Sequence, residues 1–232
     1  MTATNKSKLS EFSVFGAKPK DAVLLPNSAM NVRNNCQSGQ WTVGDRDYGS
    51  KCSMTILKYS RFFGSLGQTS DTLWGQLWFI AESGELPQGV VMVTYLKNRN
   101  LEAFNNLIAE VQSKGTEPAL GIFTPEFVKQ SGQKPDESGV VRPVNYYTLK
   151  WTWDKERTDV QYAILEQAAA LLADPVNASQ LVDFQGTKAM WCIDNLSAEE
   201  LAALVGGDKQ DEMRQRLAPA TANALSASTT EF

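Results

Sequence analysis

Three stretches decide the fold of this chain: KCSMTILKY (residues 51–59), LWGQLWFIA (residues 73–81) and GVVMVTYLK (residues 89–97). Side chains of the first fall alternately on two faces, which is the period of two typical of a β-strand. The second is rich in aromatic residues and the third in β-branched ones, and both kinds favour strands. The glycine and proline of residues 83–88 predict a hairpin loop. We therefore expect three consecutive strands, the last two joined by a hairpin.

The segment that follows the third strand predicts a helix over residues 101–114. Asn100 is a suitable N-cap, and Gly115 is a suitable stop. Apolar residues recur inside the segment at the spacing of one helix face. This is the clearest helix in the first half of the chain.

Beyond that helix, the pattern returns to strands. We expect a short strand near residues 119–123, a loop over residues 130–138 and a long strand over residues 145–153. The last of these, NYYTLKWTW, alternates strictly between two faces. Strands on both sides of one helix indicate a mixed, β-rich fold.

Two capping boxes predict helices in the C-terminal third. Thr158 with Gln161 opens a helix that ends at Ala173, and Ser197 with Glu200 opens the helix AEELAALV. We expect the first helix to pack on the sheet through a stripe made of Val160, Ile164, Ala168 and Leu171. A short strand over residues 189–193 is expected between the two helices.

The chain is thus divided into four parts. Residues 1–30 form an irregular arm, residues 31–157 the β-rich body and residues 158–216 a helical extension. Residues 217–232 are rich in alanine, serine and threonine, a composition typical of a disordered tail.

Charge is distributed unevenly along the chain. Residues 1–157 carry 18 Lys and Arg against 15 Asp and Glu, a net charge of +3, whereas residues 158–232 carry 4 against 11, a net charge of −7; the two add to the total of −4. A mildly basic body with an acidic C-terminal third is one pattern of nucleic-acid contact, and ordinary variation along a chain is the alternative.

Composition excludes much of the common active-site chemistry. The chain has no histidine, which removes histidine-based catalysis and imidazole metal sites. Its 3 cysteines are widely spaced and favour reduced thiols over a disulfide framework or a zinc site. Nucleotide-binding and acyl-transfer motifs are absent from the sequence. We therefore expect no enzyme, no cofactor and no metal, with one alternative: Asp45 and Asp47 as the carboxylates of a magnesium-dependent enzyme, although their setting favours a turn.

The positive evidence is a mixture of aromatic and basic residues between Arg33 and Phe63. Unpaired bases stack on aromatic rings while their phosphates need cations, so a single-strand binder needs both residue types on one surface. Trp74 and Trp78 lie on one face of their predicted strand and are candidates for an exposed stacking platform. The candidate nucleic-acid-binding residues are Arg33, Arg46, Tyr48, Lys51, Lys58, Tyr59, Arg61, Trp74, Trp78, Tyr146 and Lys150. Burial of the two tryptophans in a core or a subunit contact is the competing interpretation.

The order of elements, three strands, a helix and further strands, resembles the OB-fold. With its acidic tail ending in Glu231 and Phe232, the chain resembles the single-stranded DNA-binding proteins of bacteria and of their phages or plasmids. The resemblance implies an OB-like antiparallel barrel with one inserted helix and C-terminal helices, and a partner-binding role for Phe232. The tail departs from the family in having one acidic residue beside the phenylalanine where the family has several.

Together these observations predict a soluble cytoplasmic protein that binds single-stranded DNA or RNA without catalysis. They also leave room for a homo-oligomer and for a protein partner at the C-terminal region, and no membrane is expected. An assembly protein of a phage or of a cellular complex, with its aromatic faces buried between protomers, is the main alternative.

Overall fold

The computed structural model describes residues 23–25, 30–135, 139–181, 190–194 and 196–205. Its strands are β1 (Met30–Asn31), β2 (Arg33–Asn35), β3 (Gln40–Val43), β4 (Arg46–Asp47), β5 (Cys52–Leu66), β6 (Thr69–Gly84), β7 (Val91–Lys97), β8 (Ile122–Pro135), β9 (Val141–Asp154) and β10 (Met190–Cys192). Its helices are α1 (Asn98–Ser113), α2 (Asp159–Ala173), α3 (Pro175–Gln180) and α4 (Ala198–Val205), with a 3-10 turn at Pro118–Leu120. The fold is β-rich α+β, as predicted.

One large mixed sheet dominates the structure, with the strand order β1-β7-β6-β5-β8-β9. The short β1 runs parallel to β7, and the other neighbours are antiparallel. β10 also pairs with β5, beyond the point where β5 leaves β8. A separate three-stranded sheet is formed by β2, β3 and β4. None of the helices in the described ranges has the length and apolar character needed to cross a bilayer.

The large sheet stays open in the described part of the chain, so the expected OB-like barrel is not confirmed. The segment after β1 occupies the edge of β7, where the Val32 amide donates to the Val93 carbonyl at 2.8 Å. β9 therefore bonds elsewhere: the Tyr147 amide donates to the Cys36 carbonyl at 2.7 Å, and the Leu149 amide donates to Asn100 Oδ1 at 2.9 Å. Backbone N–H and C=O groups at a buried strand edge need hydrogen-bond partners. In a closed barrel β7 and β9 would bond to each other, whereas here residues of the N-terminal segment bond to both strands.

Side chains on the two faces of β5, β6 and β7 belong to two separate apolar clusters. The inner face packs against α1 and against β8 and β9, with Leu77, Phe79, Phe104 and Phe123 among its buried residues. The outer face packs against α2 and the residues after α3. Both faces of these strands are thus buried, which explains why their sequences read as nearly continuous apolar stretches.

Most elements predicted from periodicity are present, and the hairpin between β6 and β7 is confirmed. Both capping boxes are confirmed. Thr158 Oγ1 accepts from the Gln161 amide, and the Gln161 side chain accepts from the Thr158 amide. Ser197 and Glu200 form the same reciprocal pair before α4.

Asn100 is not the N-cap of α1, which begins two residues earlier at Asn98. Its side chain is buried and is used across the fold: Oδ1 accepts from Leu149, and Nδ2 donates to the Cys36 sulfur at 3.2 Å. A buried amide that satisfies two other elements outweighs a local cap. The predicted stop at Gly115 is confirmed by its left-handed φ of 69° directly after the helix.

Two predictions between α1 and β9 are wrong. The short strand near residues 119–123 is a 3-10 turn followed by a 14-residue strand, and the expected loop at residues 130–138 continues that strand to Pro135. Unbroken pairing of β8 with β9 explains why glycine and proline are tolerated there.

The predicted sheet-packing stripe of α2 is only partly correct. Ala168 is buried, but Val160 is 71% exposed. Ile164 and, near the end of the helix, Leu172 are half-buried and pack against the same outer-face cluster. Most of the predicted N-terminal arm and all of the predicted tail lie outside the described residues.

Candidate nucleic-acid interface

Cross-strand pairing arranges nine side chains of the outer face in three rows, which we call the outer-face grid. Its rows are Phe62–Trp74–Lys97, Ser60–Gln76–Tyr95 and Lys58–Trp78–Val93. Three predicted binding residues, Lys58, Trp74 and Trp78, are therefore neighbours on one surface. Paired residues of antiparallel strands share a face, and this register brings a lysine beside each tryptophan.

The outer-face grid is not exposed, so the prediction of an open stacking platform is wrong. Trp74 and Trp78 are each 5% exposed, because Ala168 of α2 and Leu181 pack in the same cluster. Trp74 Nε1 donates to the Gly64 carbonyl at 3.0 Å, and Trp78 Nε1 donates to Gln76 Oε1 at 3.1 Å. Both indole N–H groups thus have their partners inside the sheet.

Tyr59 and Arg61 are also engaged within the protein. The Tyr59 ring packs edge-on against Phe104 with centroids 5.3 Å apart, and its hydroxyl donates to Asn105 Oδ1 at 2.7 Å. Burial raises the pKa of Tyr59 above its ordinary value. Arg61 Nε donates to Asp194 Oδ1 at 3.0 Å, so its charge is compensated. Tyr59 is therefore used in the packing of α1 on β5, and Arg61 is paired with an aspartate that follows β10.

Four predicted residues lie on the surface around the three-stranded sheet. Arg33, Arg46 and Lys51 are exposed, and Tyr48 is half-buried. The Arg46 guanidinium carbon lies 4.9 Å from the centroid of the Tyr48 ring. This is a cation–π contact at an exposed position, of the kind that a base can join by stacking.

Tyr146 and Lys150 point to the same face of β9, as predicted, and the structure adds a cation beside them. Arg99, on the first turn of α1, donates from Nη1 to the Tyr146 hydroxyl at 3.0 Å. Arg99 and Lys150 are exposed, and Tyr146 is half-buried. Sequence reasoning missed Arg99 because a residue in a helix has no pattern that links it to a strand 47 positions later.

Arg99, Tyr146, Arg33 and Lys97 surround the place where β2, β7, α1 and β9 meet, and we call this set the basic rim. Cys36 joins two of these elements, because its carbonyl accepts from the Tyr147 amide of β9 and its sulfur accepts from Asn100 Nδ2 of α1. Burial raises the pKa of the Cys36 thiol, and the positive charges of Lys97 and Arg33 oppose part of that rise. Asn34, next to Arg33 in β2, donates from Nδ2 to the Tyr95 carbonyl at 2.7 Å, which places β2 beside the end of β7. The basic rim touches the outer-face grid, because Lys97 Nζ lies 5.3 Å from the centre of the Trp74 ring.

Asp45 and Asp47 do not form a recognisable metal centre. Asp45 follows Gly44 in the turn between β3 and β4, as its glycine-rich setting predicts. Across the described ranges, no cluster of three or more Cys, Asp and Glu side chains is arranged to hold a metal ion. The predicted partner-binding residue, Phe232, lies outside the described residues.

Comparisons with protein families, with curated proteins and with solved structures give no match to this chain.

Proposed function

We propose that this protein binds single-stranded nucleic acid, preferentially DNA, without catalysing a reaction on it. The observation that carries the proposal is the basic rim. It combines an exposed guanidinium hydrogen-bonded to a tyrosine, two further cations and an adjacent row of β9 that ends in Lys150. Rings for stacking beside cations for phosphates are what a flexible single strand requires.

Strand connectivity supports the proposal. β5 pairs with β6 on one edge and with β8 on the other, β6 pairs with β7, and α1 connects β7 to β8. This order is similar to that of an OB-fold, in which the face of the second and third strands and the loops after the first and fourth strands bind oligonucleotides. By this similarity the corresponding strands are β6 and β7, and the basic rim is at the end of β7.

Charge distribution agrees with this location. The first 157 residues have a net charge of +3 although the whole chain has −4. A ligand with one charge per nucleotide is attracted to the body by these cations, and its affinity must decrease with salt.

The alternative of an assembly protein rested on aromatic faces that need another protomer to cover them. Trp74 and Trp78 are covered within a single chain by Ala168 and Leu181. The two tryptophans therefore give no reason to require a second subunit, and single-strand binding is the function that the remaining exposed residues favour.

The test is fluorescence anisotropy of a labelled oligo-dT at low and high salt, because the buried tryptophans are poor reporters of a surface contact. Arg99→Gln should weaken binding roughly tenfold, the value of one charge-assisted hydrogen bond of about 1.5 kcal/mol. Tyr146→Ala should weaken it by a similar factor or more, whereas Tyr146→Phe keeps the ring and should retain most of the affinity.

Lys114→Gln is the matched control for Arg99→Gln. Lys114 is exposed and directly follows α1, 15 residues from Arg99, or about 22 Å along the helix. It should leave affinity within a factor of two. Binding that is absent at low salt, or that is equally sensitive to both substitutions, would refute the proposal. Oligo-rU in place of oligo-dT tests the preference for DNA.

A further inference from the structure

The outer-face grid has the composition of a ligand surface although it lies beneath a helix. It contains two tryptophans, a tyrosine, a glutamine and two lysines on three adjacent strands. Gln76 is fully buried and joins Trp78 to Tyr95, since its Nε2 donates to the Tyr95 hydroxyl at 3.1 Å and its Oε1 accepts from Trp78. Apolar side chains alone would fill such a space under a helix without burying an amide.

From this we infer that the outer-face grid is a second nucleic-acid-binding surface, continuous with the basic rim, and that α2, α3 and Leu181 form a displaceable cover over it. We call these residues, 158–181, the cover. The inference rests on the proposed function, because it extends the same ligand from the rim onto the sheet.

The sheet does not need the cover to satisfy the tryptophan N–H groups. Trp74 donates to Gly64 and Trp78 donates to Gln76, both within the sheet. Displacing the cover therefore exposes ring faces and leaves these donors paired. The face would be ready to stack bases without local refolding.

The cover is held by a small apolar contact. Ala168 and Leu181 are its buried members, with Ile164 and Leu172 half-buried beside them. Within the described ranges, hydrogen bonds also join it to the body: Lys58 Nζ donates to the Leu181 carbonyl at 3.0 Å, and the Val23 amide donates to Gln167 Oε1 at 3.1 Å. At the beginning of the cover, Val160 and Tyr162 face solvent, 71% and 48% exposed.

The cover and the outer-face grid differ in charge. Residues 158–181 contain Asp159, Glu166 and Asp174 and no lysine or arginine. They lie over a face that carries Lys58 and Lys97 at opposite corners. The three carboxylates of the cover are exposed, and a polyanion attracted to the lysines of the grid can extend from the rim past Lys97 onto Trp74 as the cover leaves.

The test introduces a charge at the contact between cover and sheet in the full-length protein. Ala168→Glu should shift tryptophan emission to longer wavelength and tighten oligo-dT binding at least fivefold. Ala169→Glu adds the same charge to the exposed side of α2 and should change neither property. Adding Trp78→Leu to Ala168→Glu should remove most of the gain in affinity, because leucine has no ring on which a base can stack.

Circular dichroism and thermal melting show whether the sheet of Ala168→Glu remains folded. If it does not, Leu172→Ser makes a milder change at the same contact, and Ala173→Ser at an exposed position is its control. Amide hydrogen exchange of the wild-type protein provides an independent readout. Saturating oligo-dT should accelerate exchange in residues 159–173 if the cover is displaced.

The outcomes separate the two proposals. Wild-type binding that depends on Arg99, with equal affinity for the two glutamate variants and unchanged exchange in α2, would overturn the cover and leave the proposed function standing. No binding by wild type or by any variant would overturn both. Wild-type binding that depends on Arg99 and strengthens when the cover contact is disrupted would support the inference.

Discussion

Removing the guanidinium of Arg157 should destabilise this protein more than any surface change. The Arg157 side chain is fully buried where β9 leads into α2, with a salt bridge of 3.3 Å to the equally buried Glu82. It also donates to the carbonyls of Leu120 at 2.8 Å and Gly121 at 2.6 Å, and to Thr55 Oγ1 at 2.9 Å. These four hydrogen bonds thus join Arg157 to three other segments of the chain.

Arg157→Met keeps much of the side-chain length and removes these donors. Breaking a buried ion pair from one side costs about 3 to 5 kcal/mol, because the other charge remains buried without compensation. Here that charge is Glu82, whose Oε2 already has no hydrogen-bond partner among the described residues. With a urea dependence of roughly 2 kcal/mol per molar, the denaturation midpoint should fall by about 2 M.

The double variant Glu82→Gln/Arg157→Met distinguishes charge burial from lost packing. It leaves no buried charge and keeps an acceptor for the Thr55 hydroxyl, which donates to Glu82 in the native protein. We expect it to recover at least half of the stability lost in Arg157→Met. Lys155→Met, at an exposed position in the same linker, should change the midpoint little. A double variant no more stable than Arg157→Met, or a single loss below about 1 kcal/mol, would refute the reasoning.

Three further predictions concern local features. Gly121→Ala should cost about 1 to 3 kcal/mol in urea denaturation, because a Cβ there would lie 2.1 Å from a Trp153 ring carbon, whereas Gly132→Ala meets its nearest ring atom at 3.2 Å and should cost less. Burial raises the pKa of Cys52 from 9.0 to about 12. Between these pH values only the unfolded chain releases the thiol proton, so the free energy of unfolding should fall by roughly 1.4 kcal/mol per pH unit. Cys52→Ala should flatten this pH profile, and equal slopes for the two proteins from pH 9 to 10 would contradict the prediction. Thr158→Ala removes the N-cap of α2 and should cost about 1 kcal/mol, with faster amide exchange in that helix as the decisive measurement.

Local chemistry made much of this fold predictable. Alternation found the central strands, and the paired signatures at Thr158 and Ser197 found two helix starts, because a capping box depends only on residues three positions apart. The prediction failed where distant partners decide the outcome. Asn100 has the chemistry of a cap, but Leu149 and Cys36 take both ends of its amide.

The candidate site was predictable in composition and not in accessibility. Periodicity placed Trp74 and Trp78 on one face, and the sheet register added Lys58 and Lys97 beside them. That face is covered by α2, and the buried residue of α2 is a single alanine, Ala168. The sequence does not predict which surface an alanine in a helix will contact. Arg99 was missed for a related reason, since its contact to Tyr146 exists only after α1 docks on β9.

Both edges of β5 are paired, and the two pairings can form at different times during synthesis on the ribosome. One edge can form a hairpin with β6, which follows β5 immediately. On the opposite edge, Phe62–Gly64 can pair only after β10 (Met190–Cys192) has been synthesised. At about 5 to 20 residues per second, those roughly 130 residues take on the order of ten seconds to emerge. For that interval the nascent chain presents an unpaired strand edge flanked by phenylalanines, which is a template for association with other chains. β10 is only three residues long, but its arrival pairs this edge and so removes the template.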